Sequence, residues 1–292
     1  MNDIIQFFVS FFTISIARYF IIAGIAFLLV YVLFARAMRK NKIQQKKASA
    51  SDFRREILHS FSSNIIMIFV AIPFMLTPIK RYTLLYSNIN DYGIFYLLAS
   101  VAIALIIHDT YFYWMHRLLH HRRIFRYTHL LHHKSTNPSP WASYAFSMFE
   151  AFTEGLILPI LLFMLPMHPI SISLFVTAAF IINVYGHLGY EIAPKWFRKS
   201  FLFQILNTSV HHNLHHSKFK GNYGLYFRIW DRIMKTENPQ YVAYYDQIQE
   251  QRFGSNAISL TLQMNNISEL SSNTEKETIE GSRAISDRKR SA

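Results

Sequence analysis

Nine of the chain's fourteen histidines fall into a spaced pattern. His116 and His120 come first, then His129, His132 and His133, then His212, His215 and His216, with His187 alone between the second and third groups. On a helix, positions i, i+3 and i+4 share a face, so each group can present its imidazoles together. Neutral imidazole is the commonest protein ligand for transition metals. The chain has no cysteine, which removes disulfides, thiolate zinc sites and iron–sulfur ligation. Eight clustered histidines plus His187 exceed the four ligands of a tetrahedral zinc site. They suit two metal ions, each held by four or five imidazoles with room for oxygen or water.

The remaining histidines divide. His121 follows His120 and points about a quarter turn away on a helix, so it is left out of the ligand set. His211 forms an i, i+4 pair with His215, but His212 is preferred because it repeats the x-x-His-His spacing of the second group. His108, two turns before His116, is open as a ligand or as a group behind one. His59 and His168 stand alone and read as ordinary polar positions. Ligating histidines usually donate their other N–H to an acceptor. Asp109, Glu150, Glu154, Glu191 and Asp231 are candidates for that task, against the alternative of helix caps or ion pairs with Arg117, Lys195 or Arg232. No His-Glu-x-x-His motif, P-loop, dinucleotide-binding glycine pattern or Gly-x-Ser-x-Gly elbow occurs. Electrons for any oxygen chemistry must therefore come from another protein.

The elements that carry these residues are apolar. Hydrophobic residues make up 51% of the 292-residue chain and charged ones only 16%, against roughly 25% charged in soluble domains. Residues 4–34 are almost wholly apolar and long enough to span a bilayer. With no basic residue at the start, they read as a retained helix rather than a cleaved signal. A second span runs from Ile57 to Leu76, and a third from Tyr92 through Ile107 into His108-Asp109. Phe146–Met167 and Ile170–Tyr190 make two more apolar stretches, either a hairpin that crosses and returns or one that only dips into the membrane. Four or five membrane helices follow.

The net charge of +13 sits in short blocks beside apolar runs, which fits membrane flanks and argues against nucleic acid. Residues 36–55 carry Arg36, Arg39, Lys40, Lys42, Lys46, Lys47, Arg54 and Arg55, so that loop is expected in the cytoplasm with the histidine motifs on the same side. The domain reading is N-terminal membrane helices and basic loop over 1–97, a catalytic domain over 98–237, and a polar tail over 238–292. From residue 254 on, the tail's composition is that of a mobile segment.

The run His108-Asp-Thr-Tyr-Phe-Tyr-Trp-Met-His-Arg-Leu-Leu-His120, with His129-Leu-Leu-His-His133 and His212-Asn-Leu-His-His216, resembles the fatty acid hydroxylase superfamily, sterol desaturase type. Lys218-Phe-Lys-Gly-Asn-Tyr-Gly-Leu-Tyr-Phe-Arg-Ile-Trp-Asp-Arg232 is similar to that family's closing signature. The resemblance covers about residues 98–237. It implies an all-α integral membrane oxygenase with a helical cap and a non-haem di-iron centre, in which zinc can replace iron on purification. His116, His120, His129, His132, His133, His212, His215 and His216 match the family's ligand core, and His187 its isolated ligand position. Asn183 and Glu191 flank His187 four residues away on either side, where fatty acyl 2-hydroxylases carry a fuller histidine motif, so the resemblance leans toward the sterol-type branch.

The implied reaction hydroxylates or desaturates a lipid, whether sterol-like, fatty acyl, alkylglycerol or carotenoid. It would use O2 and electrons from a separate donor of cytochrome b5, ferredoxin or reductase type. The competing reading is a divalent-metal transporter or metal-binding membrane protein. Transporters hold their ligands near the bilayer midplane on broken helices, whereas these motifs lie at helix ends on one side. With no evident retrieval signal at Ser291-Ala292, the inner membrane of a bacterium is favoured over the endoplasmic reticulum.

Overall fold

The structure is a computed structural model, and it describes residues 2–46 and 48–254. Among these residues the secondary structure is helical, with three isolated β-bridges and no strand. Four helices are long and apolar enough to cross a membrane. The first is α1 (Asn2–Phe27), continued by a π-helical stretch Leu28–Leu33. The others are α2 (Ala50–Leu76), α3 (Gly93–Leu119) and, further along, α8 (Pro169–Gly186).

The sequence sets where these helices begin. Ser49 caps α2 by accepting from the Asp52 N–H, while the Asp52 carboxylate accepts from the Ser49 N–H. This reciprocal box satisfies two backbone donors that a helix start leaves free. Pro169 occupies the first turn of α8, where its missing N–H costs nothing, and the His168 ring caps the same end.

Between α3 and α8 lie short helices: α4 (Phe125–Thr128), α5 (Leu130–His133), α6 (Met148–Gly155) and α7 (Ile157–Met164). The stretch 146–167 is thus two eight-residue helices rather than one long one. Ser147 at its start donates to the Thr128 carbonyl, near the second histidine group. At its end, Met167 exchanges backbone hydrogen bonds with Leu84 and Tyr86 in the loop between α2 and α3. It runs from the histidine end of the bundle to the opposite end without a single spanning helix.

Five further hydrogen bonds define the histidine end. Tyr31 donates to the Leu188 carbonyl. The basic loop lies there too, with Ile43 N–H bonded to Gly189 O and Glu191 N–H to Asn41 O. Buried Glu56 on α2 accepts from Ser135 at 2.7 Å and Ser139 at 2.5 Å, tying α2 to the segment after the second histidine group. The chain then forms α9 (Leu202–Ile205), α10 (Ser209–Lys218), α11 (Ile229–Ile233) and α12 (Tyr241–Phe253). Tyr241 and Tyr245 are fully buried and pack against Phe203. The chain divides into two compact units, residues 1–245 and 246–292. Residues 255–292, most of the expected polar tail, lie outside the described residues.

Candidate metal centre

The nine expected histidines converge into two adjacent groups. His116, His120, His129, His133 and His215 form one; His132, His187, His212 and His216 form the other. Within each group the ring nitrogens lie within 4.8 Å of one another. Eight of the rings are buried and His120 is partly so. His116 sits in the last turn of α3, His120 at its C-cap and His187 at the C-cap of α8. α10, buried along nearly its whole length, supplies three more.

The x-x-His-His groups do not each serve one ion, as a shared helix face would suggest. His129 and His133 turn to the five-ring group while His132 joins the four-ring group. In α10 the split is reversed: His212 and His216 join the four-ring group and His215 the five-ring group. At 100° per residue, i+3 and i+4 diverge by that same angle on either side of position i. The i, i+4 pair therefore closes on one point, and the i+3 ring swings to the neighbouring one.

Pairs of Nε2 atoms stand unusually close. His116 and His129 approach to 2.9 Å, His133 lies 3.1 Å from His120 and 3.0 Å from His215, and His187 lies 3.1 Å from both His132 and His212. The other ring nitrogens decide what these approaches mean. His116 Nδ1 donates to the Tyr223 carbonyl at 2.9 Å, His187 Nδ1 to Asn183 O at 2.9 Å, and His215 Nδ1 to Gly221 O at 2.7 Å. His129 Nδ1 lies 2.7 Å from Glu150 Oε1, a poorly aligned contact whose proton either group can carry, since burial raises the Glu150 carboxyl. A neutral imidazole has one N–H, so in the three rings bonded to carbonyls Nε2 carries only a lone pair.

The Nε2 lone pairs of His116, His187 and His215 each meet a further imidazole Nε2 at 2.9–3.1 Å. Nitrogens gathered this closely present a ready set of ligand atoms to a cation. The rings are also held neutral. Burial pushes His129, His132, His133, His212 and His216 well below the ordinary value of 6.5, with neighbouring imidazoles adding to it, and takes His187 and His215 down to about 4. Neutral rings with converging Nε2 lone pairs fit bound transition metals.

The candidate carboxylates take different tasks. Glu150 meets a ligand-set ring directly. Asp231 accepts from the Tyr223 and Gly224 N–H groups and from Thr236, so it fixes the loop whose Tyr223 carbonyl holds His116. Asp109 accepts from the Tyr226 and Phe227 N–H groups, and Glu191 from Tyr185, Ala193 and Val210. Glu154 faces His108, not a member of either group.

The carbonyls of Tyr223, Gly221 and Asn183, which orient three of the rings, were not among the sequence candidates. The only sign of the first two was the glycine-rich stretch 218–232 itself. Gly221 adopts φ +77°, and a Cβ there would come within 2.5 Å of the Thr236 carbonyl. His211 is buried against Tyr241 and belongs to neither group, and exposed His121 also lies outside them.

Beside the histidines, the helices line a half-open apolar cavity of about 310 Å3. It reaches from Met75 and Pro169 at the far end to Phe112 and Asn183 near the centre. The Phe112 ring lies 4.9 Å from that of His116, and the Asn183 carbonyl holds His187.

Residues 101–236 match the family model described as fatty acid hydroxylase. Human lathosterol oxidase is 31% identical over 225 residues, covering 75% of this chain and 71% of that protein. The chain belongs to the fatty acid hydroxylase superfamily, sterol desaturase type. Other relatives in this family include Delta(7)-sterol 5(6)-desaturases of Gibberella zeae, 32% identical over 61% of this chain, and of Schizosaccharomyces pombe, 31% identical over 66%. The chain spans 53% and 61% of the length of those two fungal enzymes. No solved structure has significant similarity to the chain.

Proposed function

We propose that the chain is a membrane-bound di-iron oxygenase that hydroxylates or desaturates a sterol-like lipid. The carrying observation is the convergence of nine histidines into two adjacent groups, five rings beside four, with the Nε2 lone pairs of His116, His187 and His215 among them. Two irons bound there would supply an oxidising power toward C–H bonds that side chains lack. The names of the relatives support a sterol-like substrate.

The chain's own residues bind and orient. The Tyr223, Gly221 and Asn183 carbonyls hold ring tautomers so that Nε2 lone pairs point inward, and Glu150 packs against His129. The apolar cavity receives the lipid from the membrane and excludes water from the reacting carbon. Hydroxylation takes up one oxygen atom and releases the other as water, while desaturation releases both as water. Either outcome consumes O2, two electrons and two protons, so a separate donor of cytochrome b5, ferredoxin or reductase type must dock near the histidine end. The basic loop packed at that end supports a cytoplasmic orientation. A transporter reading is weaker, because the ligands cluster at helix ends rather than at the middle of broken spans.

The test is lipid turnover by purified protein reconstituted with ferrous iron and a reducing system. Product formation requiring O2, and lost in His132→Ala and His216→Ala, supports the reading. Undiminished product from both variants refutes it.

A further inference from the structure

The cavity is apolar except at a few points, and one of them has an unmet hydrogen bond. His108 on α3 is 7% exposed, and its Nδ1 is 2.9 Å from the Tyr226 hydroxyl. Its Nε2 is sealed from water and has no hydrogen-bond partner. The nearest acceptor is Glu154 Oε2 at 3.9 Å, too far for a direct hydrogen bond. All three side chains line the cavity. A buried polar atom left unpaired is destabilising, and His108 and Glu154 both belong to the cavity wall.

From these contacts we infer that His108 and Glu154 form the anchor for a hydroxyl group on the lipid substrate. This rests on the lipid oxygenase reading and specifies how the substrate is held. Because Nε2 faces a carboxylate, the favoured tautomer carries the proton there, with Tyr226 donating to Nδ1; Nε2 is then the donor of the pair and the carboxylate the acceptor. Only a group that accepts and donates at once bridges such a pair. An alcohol does so, whereas an ether, an ester or a hydrocarbon does not. A small turn of the Glu154 carboxylate opens the buried Nε2 to an oxygen entering from the cavity, which then bridges the two groups across the 3.9 Å gap.

The anchor also sits at a useful distance. His108 packs against Phe112 at 6.3 Å between ring centroids, and Phe112 against His116 at 4.9 Å. His108 and His116 are eight residues apart on α3, about 12 Å along the helix, so carbons on the order of 10 Å from the hydroxyl are brought to the centre. His108 and Glu154 are positioning residues in this scheme and belong to neither metal group.

The experiment measures equilibrium binding of three probes to the full chain in detergent: a Δ7-sterol with a free 3-hydroxyl, its 3-methyl ether and its 3-deoxy counterpart. Wild type should prefer the alcohol on the order of 10-fold or more over both. His108→Phe and Glu154→Leu should bind all three alike, and His108→Gln, which retains a donor, should recover part of the preference. Equal binding of the three probes by wild type overturns the anchor. So does undiminished preference in His108→Phe. If that variant fails to fold, the wild-type comparison still decides. Loss of O2-dependent turnover with the preference intact would sink the oxygenase reading alone, whereas equally efficient turnover of the deoxy sterol would sink the anchor alone.

Discussion

His132 and His133 are neighbours in the chain, yet their rings stand at 89° with centroids 6.0 Å apart and serve different groups. His132 faces His187, His212 and His216, and His133 faces His120 and His215. Adjacent substitutions should therefore have separable effects. His132→Ala should empty the four-ring group and His133→Ala weaken the five-ring group, each lowering bound metal from about two ions per chain toward one. Elemental analysis of the two purified variants checks this. If both lose all metal, or neither loses any, the two-group arrangement is wrong.

Glu150 is the carboxylate that meets a ligand-set ring, at 2.7 Å from His129 Nδ1. Glu150→Leu should lower metal affinity at the five-ring group by about 10- to 100-fold. Glu150→Gln should do less, because its amide oxygen still accepts from Nδ1. Competition with a chelator of known affinity would measure both, and equal affinity in wild type and Glu150→Leu would contradict the assignment.

Gly221 combines φ +77° with a carbonyl that holds His215. An alanine Cβ would meet the Thr236 carbonyl at 2.5 Å, and side chains are disfavoured at this φ. Gly221→Ala should cost about 1–3 kcal/mol of stability and also reduce metal content through the displaced carbonyl. Thermal unfolding in detergent and elemental analysis should move together; a fully loaded, equally stable variant would show that the loop does not position the ring.

Protons compete with metal for the same nitrogens. Burial holds the folded-state values of His187 and His215 to about 4, below the ordinary 6.5. Between those values the unfolded chain binds protons that the folded chain does not, so stability rises with pH across that window. The contribution is complete above about 6.5 and is lost as pH falls through about 4, on the order of 3 kcal/mol for each ring. Metal-free protein should show a falling melting temperature over that range, and loaded protein should release its metal as the same rings protonate. A flat profile for the metal-free protein would refute the neutral-ring assignment.

The histidines that gather and the apolar helices that carry them were legible in local order. Histidine spacing at 116/120, 129/132/133 and 212/215/216 identifies the side chains, and apolar runs of spanning length identify the four long helices. Hydrophobic periodicity and length are properties of a segment by itself, so one sequence suffices to read them. The tertiary structure decided the rest. It sent His132 and His133 to different groups, broke 146–167 into α6 and α7, and turned His108 into the cavity.

It also chose backbone carbonyls to orient rings where the sequence suggested only carboxylates. The partner of His116 Nδ1 is Tyr223, 107 residues away, and a carbonyl oxygen is present at every residue. Nothing in a side-chain pattern marks which of these oxygens will face a ring. Only the packing of α3 against the loop fixed by Asp231 brings that one within hydrogen-bonding distance.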